Sequence, residues 1–180
     1  MSKVFDRFYS MFGWPTLDAK TRDLARYIYI QFTENNATCD TFQLAKAMYL
    51  ADVACYRYTG KKISNIQWRW WPNGPFDPSV YDYRKDCSYS GFLDSQEVAD
   101  SKHGHKCVAY VKIDLLSDIE AAFVKKVVNK IYNIDFNELT KVAYSTEPMK
   151  KIGAKPNGNA NKQLLDFSTI TQKTLGPSNS

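Results

Sequence analysis

The sequence predicts a mainly α fold, a compact helical domain with a small antiparallel β element, and three observations carry that prediction. Four segments repeat apolar residues at helical spacing, three of them behind recognisable caps. One segment near the middle alternates apolar and polar residues as a strand does. At 44% hydrophobic and 14% aromatic residues, the 180-residue chain can bury a real core.

The first helix is expected over Thr16–Phe32, entered just after Pro15, with Leu17, Leu24, Ile28 and Phe32 inward and Lys20, Arg22, Asp23 and Arg26 outward. The second is stronger. Asp40 and Gln43 form a capping box, Leu44, Met48, Ala51, Cys55 and Tyr58 make a stripe, and Gly60 stands at the left-handed C-terminal cap. Asp77 and Pro78 read as cap and first position of a short helix through Tyr81.

Residues 86–106 read as a polar loop. The run KCVAYVKI (Lys106–Ile113) then alternates as a strand, to be paired near Cys87–Phe92 or Ile66–Trp70. Ser117 with Glu120 caps a helix whose expected buried stripe is Ile119, Phe123, Val127 and Ile131, with Lys125, Lys126 and Lys130 solvated. Asp135 with Glu138 opens another, carrying Leu139, Val142 and Ala143, and Pro148 is expected to end helical structure. The reading is one domain over residues 1–152 and a polar flexible tail over 153–180, of which only LLDFSTI (Leu164–Ile170) could dock.

Net charge is +5, with lysines scattered rather than gathered in a stripe, which makes nucleic acid an unfavoured partner. No window reaches the roughly 18 apolar residues of a membrane span. The N-terminal MSKVFDRFYSMFGWP lacks the apolar run and cleavage site of a secretory signal, so a cytoplasmic chain with reduced Cys39, Cys55, Cys87 and Cys107 is expected.

The chemistry-bearing motifs of nucleophilic, phosphate-binding or zinc enzymes are missing. HGHKC (His103, His105, Cys107) matches no usual zinc spacing, so no metal and no cofactor is assigned. Asp52 falls beside the apolar stripe of the second helix. It is either a general base or, as expected here, an acid held by backbone amides of a nearby turn or by Arg69.

WRWWPNGPFDPSVYDY (Trp68–Tyr83) holds three of the chain's four tryptophans. Asn73-Gly74 favours a turn with positive φ, and Pro72 and Pro75 stiffen its flanks. Rigid aromatic side chains of this kind dominate protein-binding hot spots, so Trp70, Trp71, Asn73, Gly74, Pro75, Phe76, Asp77 and Tyr81 are the candidate partner-binding residues.

LAKAMYLADVACYRYTGKKI followed by that segment resembles the Panacea domain, the SocA-like or DUF4065 antitoxin family. Leu44, Tyr49, Ala51, Asp52 and Gly60 fit its first helix, with Tyr49, Asp52 and Gly60 as structural motif residues. Trp71, Gly74, Pro75, Asp77 and Tyr81 fit its aromatic strand and short helix, and FVKKVVNKIYNIDFNELTKVAYSTEPMKKI its closing helices. The resemblance spans about residues 35–152; the polar insert around Asp86–Lys106 and the tail depart from it. It implies a Panacea-like fold and a non-enzymatic protein that neutralises a cognate toxin by direct contact, in a bacterial or phage-infected cell. The alternative it leaves open is a phage-encoded inhibitor or adaptor acting on a host defence or protease component.

Overall fold

Helix α2 (Thr41–Thr59) is the axis on which the other elements pack. The structure, a computed structural model, describes residues 17–98, 102–109, 111–156 and 158–174. The expected helix start at Thr16, Tyr110 of the expected strand and residues 175–180 of the tail lie outside the described residues, as does the side chain of His103.

The capping box on α2 forms as the sequence demands. Asp40 Oδ1 accepts from Gln43 N at 2.7 Å, and Gln43 Oε1 accepts from Asp40 N at 2.9 Å. Gly60 ends the helix at φ 71°, where its missing Cβ removes the left-handed penalty. Between them every residue from Leu44 to Val53 is buried, which is why α2 sits centrally rather than on the surface. Helix α1 (Ala19–Glu34) starts three residues later than expected, because Asp18 caps it through Thr21 N at 2.7 Å. It lays Leu24, Ala25, Ile28, Tyr29 and Phe32 into the core.

Strands β1 (Arg69–Trp71) and β2 (Gly74–Phe76) form an antiparallel hairpin with Trp71 opposite Gly74. The connecting pair is therefore Pro72-Asn73, not the expected Asn73-Gly74. Proline fixes the first turn position, and only Gly74 takes a positive φ, 102°. Helix α3 (Pro78–Tyr89) opens at Asp77, whose Oδ1 accepts from Ser79 N at 2.9 Å, and runs past Tyr81.

The expected polar loop over 86–106 is thus overturned. Its first residues finish α3, and its remainder supplies a second hairpin, β3 (Leu93–Val98) with β4 (Lys102–Cys107). Of the expected strand Lys106–Ile113, only Lys106 and Cys107 are in a strand, paired with Asp94 and Leu93. The ladder stops at Cys107, Val108 is 60% exposed, and the alternating residues after it have no partner strand among the described residues. An exchange of backbone hydrogen bonds between Cys39 and His105 (2.9 and 3.0 Å) ties this hairpin to the start of α2.

Ser117 and Glu120 cap helix α4 (Asp118–Ile131), but its buried face is Phe123, Val124, Val128 and Ile131. Ile119 is exposed and Val127 only partly covered. A strict every-fourth pattern drifts about 40° per step, so Ile119 lies about 120° from Ile131 and leaves the face. Helix α5 (Phe136–Tyr144), capped by Asp135, buries Leu139, Thr140, Ala143 and Tyr144 and leaves Val142 exposed. Pro148 does not stop helical structure. It sits in the first turn of α6 (Glu147–Lys151), where the missing N–H would have had no partner.

Packing continues beyond residue 152. Lys162 N donates to Trp70 O (3.0 Å), Trp70 N to Gln163 O (2.9 Å) and Leu165 N to Trp68 O (2.9 Å), so this segment runs antiparallel along β1. Leu165, Phe167 and Ile170 are buried, with the Phe167 ring edge-on to Tyr49 and Tyr56.

Candidate functional site

Two structures meet at the aromatic segment, and the first is a buried knot. Asp52 is completely buried on α2. Its Oδ1 accepts from Ile63 N (2.8 Å) and Ser64 N (2.9 Å); its Oδ2 accepts from Ser64 Oγ and from Trp68 Nε1 (2.7 Å). Burial pushes its pKa up, while the bonds from Ser64 and Trp68 and the charge of Lys62 pull it down. Both oxygens are filled by donors from the turn after Gly60 and from Trp68. This is the amide-held acid that the sequence suggested, with Trp68 in place of Arg69; Arg69 instead donates to Lys162 O at 3.2 Å.

Tyr49, one turn away, packs edge-on to Trp68 with centroids 5.6 Å apart. Its hydroxyl shares a 2.7 Å hydrogen bond with Thr146 Oγ1, and burial pushes its pKa well up. Tyr49, Asp52 and Gly60 therefore fix three things: the α5–α6 junction, the turn at 63–64 and the end of α2.

The second structure is a cavity of about 620 Å³ in front of the β1–β2 hairpin. Phe42, Lys46, Trp71, Pro72, Asn73, Phe76, Pro78, Tyr81 and Asp82 line it. A neighbouring cavity of about 420 Å³ shares Phe42, Asn73, Phe76 and Tyr81 and extends to Asp40, Arg84 and Phe136. Together they make one aromatic groove, walled at one end by the Phe42–Phe136 pair, edge-on at 5.8 Å.

The eight candidate residues divide between these structures. Trp71, Asn73, Phe76 and Tyr81 line the groove. Trp71 meets Phe76 edge-on at 5.8 Å, and Lys162 Nζ lies 4.7 Å from the Trp71 ring centroid. Trp70 is core: it is 7% exposed, and its Nε1 donates to Tyr144 Oη at 3.1 Å. Gly74 and Pro75 are buried in the hairpin, and Asp77 is occupied as the cap of α3. Strand alternation separates Trp70 from Trp71, since successive residues face opposite sides, whereas Gly74 and Pro75 are both buried.

Lys46 was missed by sequence reasoning. It is 1% exposed at the cavity, and no hydrogen bond or ion pair reaches its ammonium among the described residues. A Cβ on Gly74 would stand 3.4 Å from its Nζ, so the charge lies against the hairpin's glycine. Burial lowers its pKa to about 8, against the opposing charge of Asp40. The signal was present: Lys46 and Asp52 are the only charged residues between Leu44 and Cys55. Phe42 was missed because it sits off its helix's apolar stripe; Phe136 lies on the stripe of Leu139 and Ala143, and its place at the groove depends on the approach of Phe42.

His105 is buried and its Nε2 accepts from Arg84 Nη1 at 2.9 Å. Among the described residues no group of three His, Cys, Asp or Glu side chains could hold a metal ion. No helix among them is long and apolar enough to cross a membrane, and all four cysteines are free thiols. Lys125, Lys126 and Lys130 lie exposed on α4, away from the groove.

No curated protein and no solved structure matches the chain. The family described as antitoxin SocA-like, Panacea domain, matches residues 44–148, which take in the Asp52 knot, the hairpin and helices α3 to α5. That is more than half of the sequence, and the chain belongs to this family.

Proposed function

We propose that the protein is an antitoxin that binds a cognate toxin directly and neutralises it, with the aromatic groove beside the β1–β2 hairpin as the contact surface. The observation that carries this reading is the groove itself. Trp71, Phe76, Tyr81 and Phe42 present apolar surface to solvent on a hairpin braced from below, the composition and rigidity of a binding hot spot. Membership of an antitoxin family supports the class of activity. The engagement of both Asp52 oxygens supports a role in binding rather than catalysis. On this reading the protein works stoichiometrically, in the cytoplasm of a bacterium or a phage-infected bacterium, and needs no cofactor.

The test is co-expression. The neighbouring reading frame is expressed alone and with this protein, and growth is followed. Arrest relieved by the wild type, and relieved less well by Tyr81→Ala or Trp71→Ala proteins that remain folded, supports the reading. A neighbour that causes no arrest refutes it; affinity capture from host lysate then asks for a defence or protease component instead.

A further inference from the structure

We infer that the Lys46 cavity receives an acidic side chain, aspartate or glutamate, flanked by apolar residues on a segment of the partner protein. The inference rests on the toxin-binding reading above and names the chemistry of the partner at that site.

Four observations converge. First, Lys46 is 1% exposed, and among the described residues its ammonium has no hydrogen bond or ion pair. Asp40 offsets its charge through space only, and a cation with so little access to water is costly in a folded chain. Second, the cavity it lines is walled by Phe42, Trp71, Pro72, Phe76 and Tyr81, an apolar surround in which a newly formed ion pair is weakly screened. Third, among the described residues Trp71 keeps a buried indole N–H without a hydrogen-bond partner, so a second lining residue carries an unused donor. Both unused groups donate; neither can be satisfied by another donor. Fourth, about 620 Å³ accommodates a carboxylate together with its apolar neighbours, within the range of pockets that bury most of a ligand.

The nearby carboxylates do not fill this role. Asp40 acts on Lys46 through space while its Oδ1 caps α2. Asp82 stands among the lining residues and has an interaction of its own, but no ion pair joins it to Lys46 among the described residues. On the partner side, an acid alone would gain little, because it gives up its own hydration. An acid beside an aromatic or large aliphatic residue gains both the ion pair and the apolar wall.

The experiment uses the full chain and a pair of probes, acetyl-Phe-Glu-Phe-amide and its isostere acetyl-Phe-Gln-Phe-amide. Binding is followed by the indole N–H resonances at pH 7. The wild type is expected to bind the glutamate peptide at least ten-fold more tightly than the glutamine peptide. In Lys46→Met, which keeps an unbranched apolar chain, the ratio should fall to about one. Equal affinities in the wild type, a ratio that survives Lys46→Met, or no binding of either peptide overturns the inference. So does a wild-type dimer that closes over the cavity and dissociates in the variant. The two readings fail separately. Peptide discrimination without neutralisation of the neighbour removes the antitoxin role and leaves the acid-reading cavity; neutralisation that is unchanged in Lys46→Met removes the cavity's role and leaves the antitoxin.

Discussion

Replacing Lys46 by methionine should make the protein more stable, and by an amount that depends on pH. Burial lowers the Lys46 pKa from 10.5 to about 8. At about 1.36 kcal/mol per unit, the folded state carries roughly 3 kcal/mol of unfavourable ionisation energy at pH 7. Methionine removes that charge and keeps most of the aliphatic contact. Its shorter chain leaves a small void beside Gly74, which costs about 1 kcal/mol. A net gain of about 2 kcal/mol follows, or roughly 4–8 °C in melting temperature for a chain of this size. Between pH 8 and 10.5 the native protein binds fewer protons than the unfolded chain, so wild-type stability climbs across that window. The advantage of Lys46→Met should therefore shrink as pH rises and be gone by about 10.5. Urea unfolding of both proteins from pH 7 upward measures it. A variant that is less stable at pH 7, or a difference that stays constant with pH, would show that the ammonium is compensated and that the reasoning about the cavity is wrong.

Asp52→Ala leaves the Ile63, Ser64 and Trp68 N–H groups buried without an acceptor. At about 1–3 kcal/mol each it should lose more than about 4 kcal/mol in urea unfolding; a loss under about 1 would contradict the structural assignment. Trp70→Ala should cost about 3–5 kcal/mol because that ring is core. Tyr81→Ala should change stability by less than about 1 kcal/mol while weakening partner binding by about 2 kcal/mol or more, and paired calorimetric and binding measurements separate the two. Gly74→Ala should cost about 1–3 kcal/mol, since φ 102° disfavours any side chain and the new methyl would meet Tyr144 at 3.3 Å; an unchanged denaturation midpoint would count against that hairpin geometry.

The helices were legible because their ends carry local chemistry. Asp40 with Gln43, Ser117 with Glu120, Asp135 and Gly60 act within one turn, and each appears where the sequence put it. Which face of a helix is buried depends on its neighbours, and there the reading drifted, as Ile119 and Val142 show. The β3–β4 hairpin was not legible at all. LDSQEV and KHGHKC show little apolar alternation, and their pairing is held by backbone bonds and the link to Cys39, which the side-chain pattern does not encode. KCVAYVKI misled in the opposite sense: it alternates as a strand would, yet beyond Cys107 it finds no strand to pair with among the described residues. At the site, the aromatic segment announced itself, but which rings face out was fixed by strand register. The groove's other wall comes from Phe42 and Phe136, distant in sequence and silent in any motif.

A two-stranded hairpin of three residues a side is marginal by itself, so the persistence of its aromatic face needs a separate cause. The structure supplies three braces. Trp68, one residue before β1, is held by Asp52. Trp70 within β1 is held by Tyr144 of α5. The backbone of Lys162–Leu165 pairs along β1 on its open edge. Each brace acts on the residues that face inward, and the alternation of the strand leaves Trp71 facing out on a backbone that cannot easily move. The Asp52 knot and the groove are thus two ends of one device: the buried acid orders the turn and the tryptophan that launch the hairpin, and the hairpin then presents a rigid apolar surface over the buried Lys46. Disturbing the knot should weaken partner binding without any contact to the partner, whereas disturbing Tyr81 should weaken binding and leave the knot intact.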